Sequence, residues 1–561
     1  MLHNPEFPIN LKIFKYLFLF FLLFVTNSAF GKNSFPRGLV TSKNPIASQI
    51  GAQILGQGGN AIDSAIAVGY ALGVVEPQGC GIGGGGFALI YLAKTKELKA
   101  IDFRERAPRA INKFEYNFRD GAKSAGVPGT VAGFEYLRFK YGKLSRQASL
   151  KPVIQTARQG FPVNQSLYSA IKTRKKVLLG FPSSAQIYLP EGKIPDIGQK
   201  IKQTDLANTL QIISAGGKQA FYNGVLAKSI ISSTQNFIST QDLKNYRVYE
   251  LKPLCGNYRE NKICSFPLPS SGGVCLLEAL NILENFNMPA LAHQDPERLH
   301  YLIEALRFSF ADRATKLGDS RFNQIPVSAL LDKKYAKQIA ERIKQSPKAI
   351  PSEEVFTLNT DEKPETTHFT VADKEGNIVA ITISLNGGLG SGFVVPKTGI
   401  LLNNTLDDFS LPNAVANQYG LIGNNLNMPQ PFKTPLSSMS PTIVFNKENK
   451  PILALGSPGG PTIISAVLNT LLAYLDHKMP IEQAVTAPRV HHQWQPDHVY
   501  IENKEKLEPI LKPYNYVFPT PEQAVWKNFY WSVQAIELNY KDNLLNGSSD
   551  PRKEQGLVFE N

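Results

Sequence analysis

The sequence predicts a mixed α/β (α+β) globular protein. Its composition and length indicate a large globular protein, and its hydrophobic periodicity indicates both helices and strands. The 561 residues are 43% hydrophobic and 19% charged, a composition with which a chain of this length buries a large core. Apolar residues recur at helical spacing in several segments, whereas other segments are short β-branched runs bounded by turn residues. At about 150 residues per domain, the length corresponds to three or four domains.

Three segments have the start signals of helices. Asn44-Pro45 provides a cap and a first-turn proline for a helix that ends at Gly56. A second helix follows the break at Gly58-Gly59-Asn60, and a third begins at Asp295-Pro296. Each segment then has apolar residues three or four positions apart, which predicts that one face of each helix is buried.

Strand patterns lie on both sides of a polar segment in the middle of the chain. Residues 87–92 form one predicted strand, and residues 366–372 and 378–385 form a predicted hairpin. The stretch from about 345 to 365 is polar, charged and interrupted by prolines, which predicts an exposed linker. A cut at the end of this linker would leave a threonine at the head of a strand.

The N-terminus has the pattern of a secretory signal peptide. Lys12 and Lys15 precede an apolar run over residues 16–25, and small residues follow as far as Gly31. The alternative is an uncleaved anchor, but the run is shorter than the roughly 20 residues of a membrane span. We therefore expect a signal peptide at residues 1–31, a mature protein without a membrane segment, and a periplasmic or secreted location.

The formal net charge of +14 comes from 60 Lys and Arg against 46 Asp and Glu. Apart from short clusters such as residues 172–176, the basic residues are scattered, and no nucleic-acid-binding motif accompanies them. The charge therefore predicts a solvated basic surface and no nucleic-acid partner.

The four cysteines do not have the spacing of a metal site, and the adjacent His491 and His492 would project in different directions from any regular element. We therefore expect no metal and no cofactor. Cys255 and Cys264 would face each other if the segment between them forms a hairpin. A disulfide and two free thiols both remain open at this point.

Thr366 is the residue whose position suggests chemistry. A threonine hydroxyl needs a base, and at a chain terminus its own α-amine, with a pKa of about 7.7–8, can accept the proton. This arrangement requires a break between Glu365 and Thr366, which the hydroxyl could begin by attacking the Glu365 carbonyl. From the residues alone, a strand-forming threonine is the simpler interpretation.

The segment Thr366-Thr367-His368-Phe369-Thr370-Val371 resembles the processing site of the γ-glutamyltransferase family. Other blocks resemble the family in the same order, over essentially everything after residue 37. They include Gly83-Gly84-Gly85-Gly86-Phe87, Asp102-Phe103-Arg104-Glu105, Pro269-Ser270-Ser271-Gly272-Gly273, Ala311-Asp312-Arg313, Asp407-Asp408-Phe409, Pro435-Leu436-Ser437-Ser438-Met439 and Gly456-Ser457-Pro458-Gly459-Gly460.

This resemblance implies the four-layer αββα sandwich of the N-terminal nucleophile hydrolases. A large subunit, residues 32–365, and a small subunit, residues 366–561, would arise by self-cleavage and form one heterodimeric unit. It also implies that a γ-glutamyl donor, typically glutathione, acylates Thr366. Water, an amino acid or a peptide would then accept the glutamyl group.

The resemblance further assigns the donor's charged groups to named residues. Arg104 would bind the α-carboxylate through its planar guanidinium, and the Ser437 and Ser438 hydroxyls would donate to the same group. Asp408 would pair with the α-ammonium. Without the resemblance, these four residues could equally be a structural arginine, loop serines and a turn aspartate.

The remaining implied site residues surround the reacting atoms. The backbone N–H groups of Gly459 and Gly460 would form the oxyanion hole. A phosphate-binding loop is the alternative, but the segment lacks the Lys-Ser/Thr ending of such loops. Ser384 would support the nucleophile's hydroxyl, Asn386 would contact the donor, and Tyr419 would close over the site.

Thr405 and Ser384 depart from the family pattern. The family usually has Gln or Glu at the position of Thr405, as a second ligand for the donor's amino group, and threonine at that of Ser384. We expect Thr405 to contact the donor by accepting a hydrogen bond, although it lacks the reach and charge of Gln or Glu. Thr405 motivates an alternative, a related acylase that takes a glutaryl-type donor, although Asp408 would then have no ammonium to pair with. A further alternative, from a different class, is an unprocessed binding protein.

Overall fold

The computed structural model describes residues 35–113, 118–355, 366–410, 417–520 and 531–560. The strands of this part of the chain are Leu39–Ser42 (β1), Gly85–Leu92 (β2), Glu97–Asp102 (β3), Phe161–Pro162 (β4), Lys200–Ile201 (β5), Tyr249–Leu251 (β6), Leu254–Tyr258 (β7), Asn261–Ser265 (β8), Thr367–Ala372 (β9), Ile378–Ser384 (β10), Val394–Val395 (β11), Ile400–Leu401 (β12), Thr442–Phe445 (β13), Pro451–Gly456 (β14), Val490–His491 (β15), Tyr500–Ile501 (β16), Gln534–Asn539 (β17), Leu544–Ser549 (β18) and Gly556–Phe559 (β19).

The helices alternate with these strands along the chain. They are Pro45–Gly56 (α1), Ala61–Val75 (α2), Thr130–Tyr141 (α3), Arg146–Gln159 (α4), Gln165–Leu179 (α5), Pro182–Tyr188 (α6), Thr204–Tyr222 (α7), Val225–Ser233 (α8), Thr240–Asn245 (α9), Gly272–Leu283 (α10), Pro296–Lys316 (α11), Val327–Leu330 (α12), Lys333–Gln345 (α13), Ser352–Val355 (α14), Thr462–Leu475 (α15), Ile481–Thr486 (α16) and Lys504–Leu511 (α17).

Two large antiparallel sheets form the centre of the molecule. The seven-stranded sheet has the order β19-β1-β9-β10-β2-β3-β6, and the six-stranded sheet has the order β18-β17-β14-β13-β8-β7. Phe87 and Phe266 pack between the sheets with ring centroids 4.2 Å apart. Gly456 is needed at this interface, since a Cβ atom there would lie 2.3 Å from the His368 ring.

Helices cover the outer face of each sheet. One apolar core joins the seven-stranded sheet to α1, α2 and α4, and another joins the six-stranded sheet to α10, α11 and α15. A third core lies between the sheets. The order of layers is therefore helix, sheet, sheet, helix, which confirms the predicted αββα sandwich.

The segments on the two sides of residue 365 share both sheets. β9 and β10 lie between β1 and β2, and β19 pairs with the other edge of β1. In the six-stranded sheet, β8 pairs with β13. Because each sheet takes strands from both segments, residue 365 does not separate two independent folding units.

The predicted helix starts are confirmed. The Asn44 side chain accepts a hydrogen bond from the Ile46 N–H at 3.0 Å, and α1 ends at Gly56. Asn60 and Asp295 cap α2 and α11 in the same way. The predicted strands also occur, although β9 starts one residue later than predicted and so leaves Thr366 just outside the strand.

β7 and β8 form a hairpin, which is the condition under which the two cysteines were expected to face each other. Cys255 and Cys264 are direct partners in the register, with Cα atoms 4.1 Å apart, and their sulfurs are bonded. The structure thus selects the disulfide from the two alternatives. Cys80 and Cys275 are buried free thiols.

The first half of the predicted exposed linker over residues 345–365 is largely exposed, as expected, but it is anchored at two buried residues. Ile350 and Ser352 are buried, and the Ser352 N–H donates to Asp497 Oδ2 at 2.8 Å. The Ser352 hydroxyl donates to the Trp494 carbonyl at 2.7 Å. Composition alone did not reveal these partners, which lie more than a hundred residues away. Residues 356–365 lie outside the described part of the chain.

The predicted signal peptide at residues 1–31 also lies outside the described residues. Among those described, no helix combines the length and the apolar character needed to cross a membrane.

Candidate active site

Thr366 immediately precedes β9 and is 5% exposed. Its Oγ1 is 3.3 Å from Ser384 Oγ, at the end of the neighbouring strand β10. The antiparallel register brings the two residues together, because Thr367 pairs with Ile383 and the next pair outward is Thr366 with Ser384. A pair of hydroxyls therefore lies at the ends of two neighbouring central strands of the seven-stranded sheet.

A small cavity adjoins this pair of hydroxyls. Its open space is about 20 Å³, which is room for about one water molecule. The predicted site residues that line the cavity are Arg104, Thr366, Ser384, Asn386, Asp408, Tyr419, Ser437, Ser438 and Gly460.

Arg104 and Asp408 face each other across the cavity and form an ion pair with an N–O distance of 2.5 Å. Arg104 Nε also donates to the Pro435 carbonyl at 3.2 Å, which fixes the guanidinium plane. Burial raises the pKa of Asp408 to about 6, although Arg104 and Arg313 oppose this rise. Two opposite charges are therefore held together at a buried position beside the cavity.

Ser437 and Ser438 belong to a loop that is fixed by its neighbours. The Ser437 carbonyl accepts hydrogen bonds from the Ser271 N–H at 2.8 Å and from the Ser271 hydroxyl at 2.6 Å. The Ser438 hydroxyl is buried without a hydrogen-bond partner among the described residues. It is therefore available to donate to a ligand.

Gly459 and Gly460 form the turn between β14 and α15. Their φ angles are +128° and +56°, so both adopt backbone conformations that favour glycine. Within the described part of the chain, neither backbone N–H donates a hydrogen bond. Gly460 lines the cavity, whereas Gly459 is not among its lining residues. Two unused donors beside the N-terminus of a helix favour a developing negative charge.

Tyr419 closes one side of the cavity. Its hydroxyl lies 2.7 Å from the Asn386 carbonyl and 2.6 Å from Asn386 Oδ1. Asn386 has a positive φ of 78° and donates from Nδ2 to the Asn404 carbonyl at 3.1 Å. Part of the loop that leads to Tyr419, residues 411–416, lies outside the described residues.

Thr405 does not line the cavity. Its hydroxyl is fully buried and donates to Glu105 Oε1 at 2.9 Å, behind Asp408. Burial raises the pKa of Glu105, and Arg104 opposes this rise. The expected contact of Thr405 with a ligand therefore has no counterpart in this geometry, because the short side chain is turned toward Glu105.

Arg313 lines the cavity and was not among the residues predicted from the sequence. It lies on α11, whose apolar residues had been recognised at helical spacing. A signal was present, since an arginine at a position that shares the buried face of an amphipathic helix needs a buried partner.

The histidines near the site have structural partners. His368 lies between the hydroxyls of Thr382 and Thr370, at 2.8 and 3.1 Å, and burial lowers its pKa to about 3. His491 and His492 bond to separate side chains, Ser465 and Asp497, respectively. Among the described residues, no group of three or more His, Cys, Asp or Glu side chains is placed to hold a metal ion.

A family model described as Gamma-glutamyltranspeptidase matches residues 47–559. The chain is 40% identical to the Glutathione hydrolase proenzyme of Escherichia coli (strain K12) over 538 residues, which are 93% of this chain and 91% of that protein.

Two solved structures are also similar. A cephalosporin acylase from Bacillus halodurans has a TM-score of 0.79 and 26% identity, covering 94% of this chain and 96% of that one. A Helicobacter pylori gamma-Glutamyltranspeptidase chain has a TM-score of 0.53 and 38% identity, covering 55% of this chain and 93% of that one.

Proposed function

The chain belongs to the gamma-glutamyltranspeptidase family, and on that premise we propose that it is a self-processing glutathione hydrolase and γ-glutamyltransferase. The observation that supports this most strongly is the meeting of three groups at one cavity. These are the Thr366 hydroxyl, the Arg104–Asp408 ion pair and the Gly460 end of the glycine turn. A nucleophile, a charge pair and an oxyanion site are what transfer of a γ-glutamyl group requires.

Processing would come first. Thr366 Oγ1 attacks the carbonyl carbon of Glu365, the peptide C–N bond breaks, and the α-amine of Thr366 is released. Water then opens the resulting ester, leaving a carboxylate at Glu365 and a free hydroxyl at Thr366. Ser384 Oγ, 3.3 Å from Oγ1, supports the hydroxyl in this step. The products are residues 32–365 and 366–561, which remain together as a heterodimer because both sheets take strands from each.

Acyl transfer would follow the same chemistry. The free α-amine of Thr366 takes the hydroxyl proton as Oγ1 attacks the γ-carbonyl of the donor. The N–H groups of Gly459 and Gly460 bind the oxyanion. The amide C–N bond then breaks, and the leaving amine takes the proton. Water, or the amine of an amino acid or peptide, next attacks the acyl-enzyme and regenerates Thr366.

The donor's α-carbon groups would exchange partners with the ion pair. In the structure, Arg104 and Asp408 neutralise each other at 2.5 Å. A γ-glutamyl donor carries both charges on one carbon, so its carboxylate can take Arg104 while its ammonium takes Asp408. Ser437 and the unpartnered hydroxyl of Ser438 add donors for the carboxylate. Charge balance is kept throughout this exchange.

A glutaryl-type acylase is the second candidate, and the position of Thr405 is the observation that favours it. The Thr405 hydroxyl is turned to Glu105, so the residue gives an ammonium group no direct contact. Asp408 opposes this candidate, because a glutaryl group has no ammonium to pair with it. Export through residues 1–31 would place either enzyme in the periplasm or outside the cell.

The test is turnover of matched anilides by the purified protein. We expect release of p-nitroaniline from L-γ-glutamyl-p-nitroanilide, faster transfer when a dipeptide acceptor is added, and hydrolysis of glutathione. Glutaryl-p-nitroanilide should react much more slowly. A processed protein that prefers the glutaryl anilide would favour the acylase instead. A folded single chain that turns over neither compound would indicate a binding protein.

A further inference from the structure

Arg313 is a buried arginine of α11 that lines the cavity beside Thr366. Within the described residues, its guanidinium donates one hydrogen bond, from Nε to Ser271 Oγ at 2.9 Å, and it forms no ion pair. The two Nη groups therefore have four N–H donors without a protein acceptor. Because Arg313 lines the cavity, these donors are available to a ligand bound there.

The charges that line the cavity do not balance. Arg104 and Arg313 contribute two positive charges, and Asp408 contributes one negative charge. Since Asp408 is already paired with Arg104, Arg313 is the cation without a counter-ion there. Burial lowers the pKa of Arg313, as expected for a cation held away from water. A carboxylate bound in the cavity would give Arg313 an ion-pair partner.

Arg313 and the predicted carboxylate-binding serines belong to one hydrogen-bonded unit. Ser271 accepts from Arg313 and donates to the Ser437 carbonyl, both through its hydroxyl. Ser438, the next residue, has the unpartnered hydroxyl. The free donors of Arg313, Ser438 and Arg104 thus surround the same small space.

We propose that Arg313 is a second guanidinium ligand for the α-carboxylate of the donor, and thereby a determinant of donor specificity. This inference rests on the proposed γ-glutamyl function. A carboxylate has two oxygens and about four acceptor positions. Single hydrogen bonds from Arg104 and the two serines would leave a position for Arg313. When the carboxylate binds Arg104 and Arg313 together, it releases Asp408 to pair with the donor's ammonium.

The purely structural alternative is that Arg313 only holds Ser271 and, through it, the Ser437 loop. The two roles differ in their dependence on the substrate. A ligand of the carboxylate discriminates between donors with and without that group, whereas a structural support affects both equally.

The experiment compares Arg313→Gln with wild type on three anilides. L-γ-Glutamyl-p-nitroanilide has both charged groups, 4-aminobutyryl-p-nitroanilide lacks the carboxylate, and glutaryl-p-nitroanilide lacks the ammonium. We expect kcat/KM for the two carboxylate donors to fall about 10- to 100-fold, mainly through KM, because a hydrogen-bonded charge is lost. The value for the 4-aminobutyryl donor should change by less than about twofold.

Two further variants separate the roles. Ser271→Ala removes the link to Ser437 but keeps the guanidinium, and it should retain most of the preference for carboxylate donors. Arg298→Gln is the matched control, since Arg298 is a buried arginine of the same helix that donates to the His293 carbonyl, away from the cavity. It should leave the ratio of the three rates unchanged.

An equal loss on all three anilides for Arg313→Gln would overturn the inference and leave a structural role. If Arg313→Gln does not form two fragments, Arg313→Lys replaces it, because lysine keeps the charge but lacks the fork. An unchanged preference in Arg313→Lys would likewise overturn the inference. Wild-type protein that turns over none of the anilides would instead overturn the proposed function, a result distinguishable from the first.

Discussion

At the residue scale, the surroundings of Thr366 restrict which group can act as the base that the proposed mechanism requires. Within the described part of the chain, its hydroxyl has one side-chain partner, Ser384, which cannot act as a base near neutral pH. The nearby His368 is held by two threonine hydroxyls, and burial keeps it neutral. The α-amine of Thr366, once freed, is the remaining group with a suitable pKa.

Asp408 leads to a prediction for pH dependence. Its pKa is raised by burial to about 6, so the side chain becomes neutral as the pH falls through that value. A neutral carboxyl pairs poorly with an ammonium group. We therefore expect kcat/KM for L-γ-glutamyl-p-nitroanilide to fall below about pH 6 more steeply than kcat/KM for glutaryl-p-nitroanilide.

The ratio of these two values isolates Asp408, because protonation of the Thr366 amine affects both donors alike. The measurement is the ratio of kcat/KM values between pH 5 and 8. A ratio that stays constant over this range would contradict the assignment of Asp408 to the ammonium group.

The identity of most cavity residues could be predicted from the sequence, but their mutual contacts could not. Arg104 and Asp408 each stand in a short motif, yet their ion pair joins residues 304 positions apart. The direction of the Thr405 hydroxyl depends on Glu105, which is 300 positions away along the chain. Arg313 was missed because its importance lies in the absence of a buried counter-ion, which only the packed structure reveals.

At the element scale, the turn between β14 and α15 is the part of the site most dependent on backbone conformation. Gly459 has φ = +128°, which is outside the range of residues with a Cβ atom. We expect Gly459→Ala to reorient the N–H groups of the turn and to lower kcat by about 10²-fold with a small change in KM.

Gly198→Ala is the control for this prediction. Gly198 also has a positive φ, +87°, and open space around its Cβ position, but it lies away from the cavity. Steady-state kinetics on the γ-glutamyl anilide should show no loss for this variant. A kcat for Gly459→Ala within a few-fold of wild type would argue against an oxyanion site in this turn.

The C-terminal strands are fixed by a buried charge network just after β18. Asp550 pairs with Arg489 at 2.7 Å and with Arg552 at 2.9 Å, and the pKa of Asp550 is lowered because the two arginines outweigh the effect of burial. Removal of this carboxylate by Asp550→Ala leaves Arg489 buried and unpaired. We expect the free energy of unfolding to fall by about 3–5 kcal/mol.

The stabilisation that Asp550 contributes decreases at low pH. Because the folded pKa of Asp550 lies below its unfolded value, its stabilisation is present at neutral pH and is lost as the pH falls through the folded pKa. Denaturant unfolding at pH 7 measures the loss of stability in Asp550→Ala, and Asp542→Ala, at an exposed position, is the control. Equal stability of the two variants would contradict this account.

At the scale of the whole molecule, the two segments around residue 365 are interleaved. β9 and β10 occupy the middle of the seven-stranded sheet, and β7 and β8 complete the six-stranded one. A cut before Thr366 therefore changes the covalent chain without separating its halves. The resemblance to a family predicted this architecture; local patterns predicted individual strands but not their order, because sheet order depends on contacts between distant residues.

The linker is a second case in which contacts with distant residues could not be predicted from the local sequence. Its polar composition correctly indicated a largely exposed segment in the described residues 345–353, but Ser352 is buried by partners near residue 495. The chain is thus anchored about a dozen residues before the proposed cut.

Self-cleavage before Thr366 is the central claim, and intact mass with N-terminal sequencing tests it most directly. The purified wild-type protein should give two fragments, the smaller beginning at Thr366. Thr366→Ala should give one folded chain, whereas Thr367→Ala, which removes the adjacent hydroxyl, should still be cut. An uncut wild-type chain that is folded, or a cut that persists in Thr366→Ala, would contradict the account.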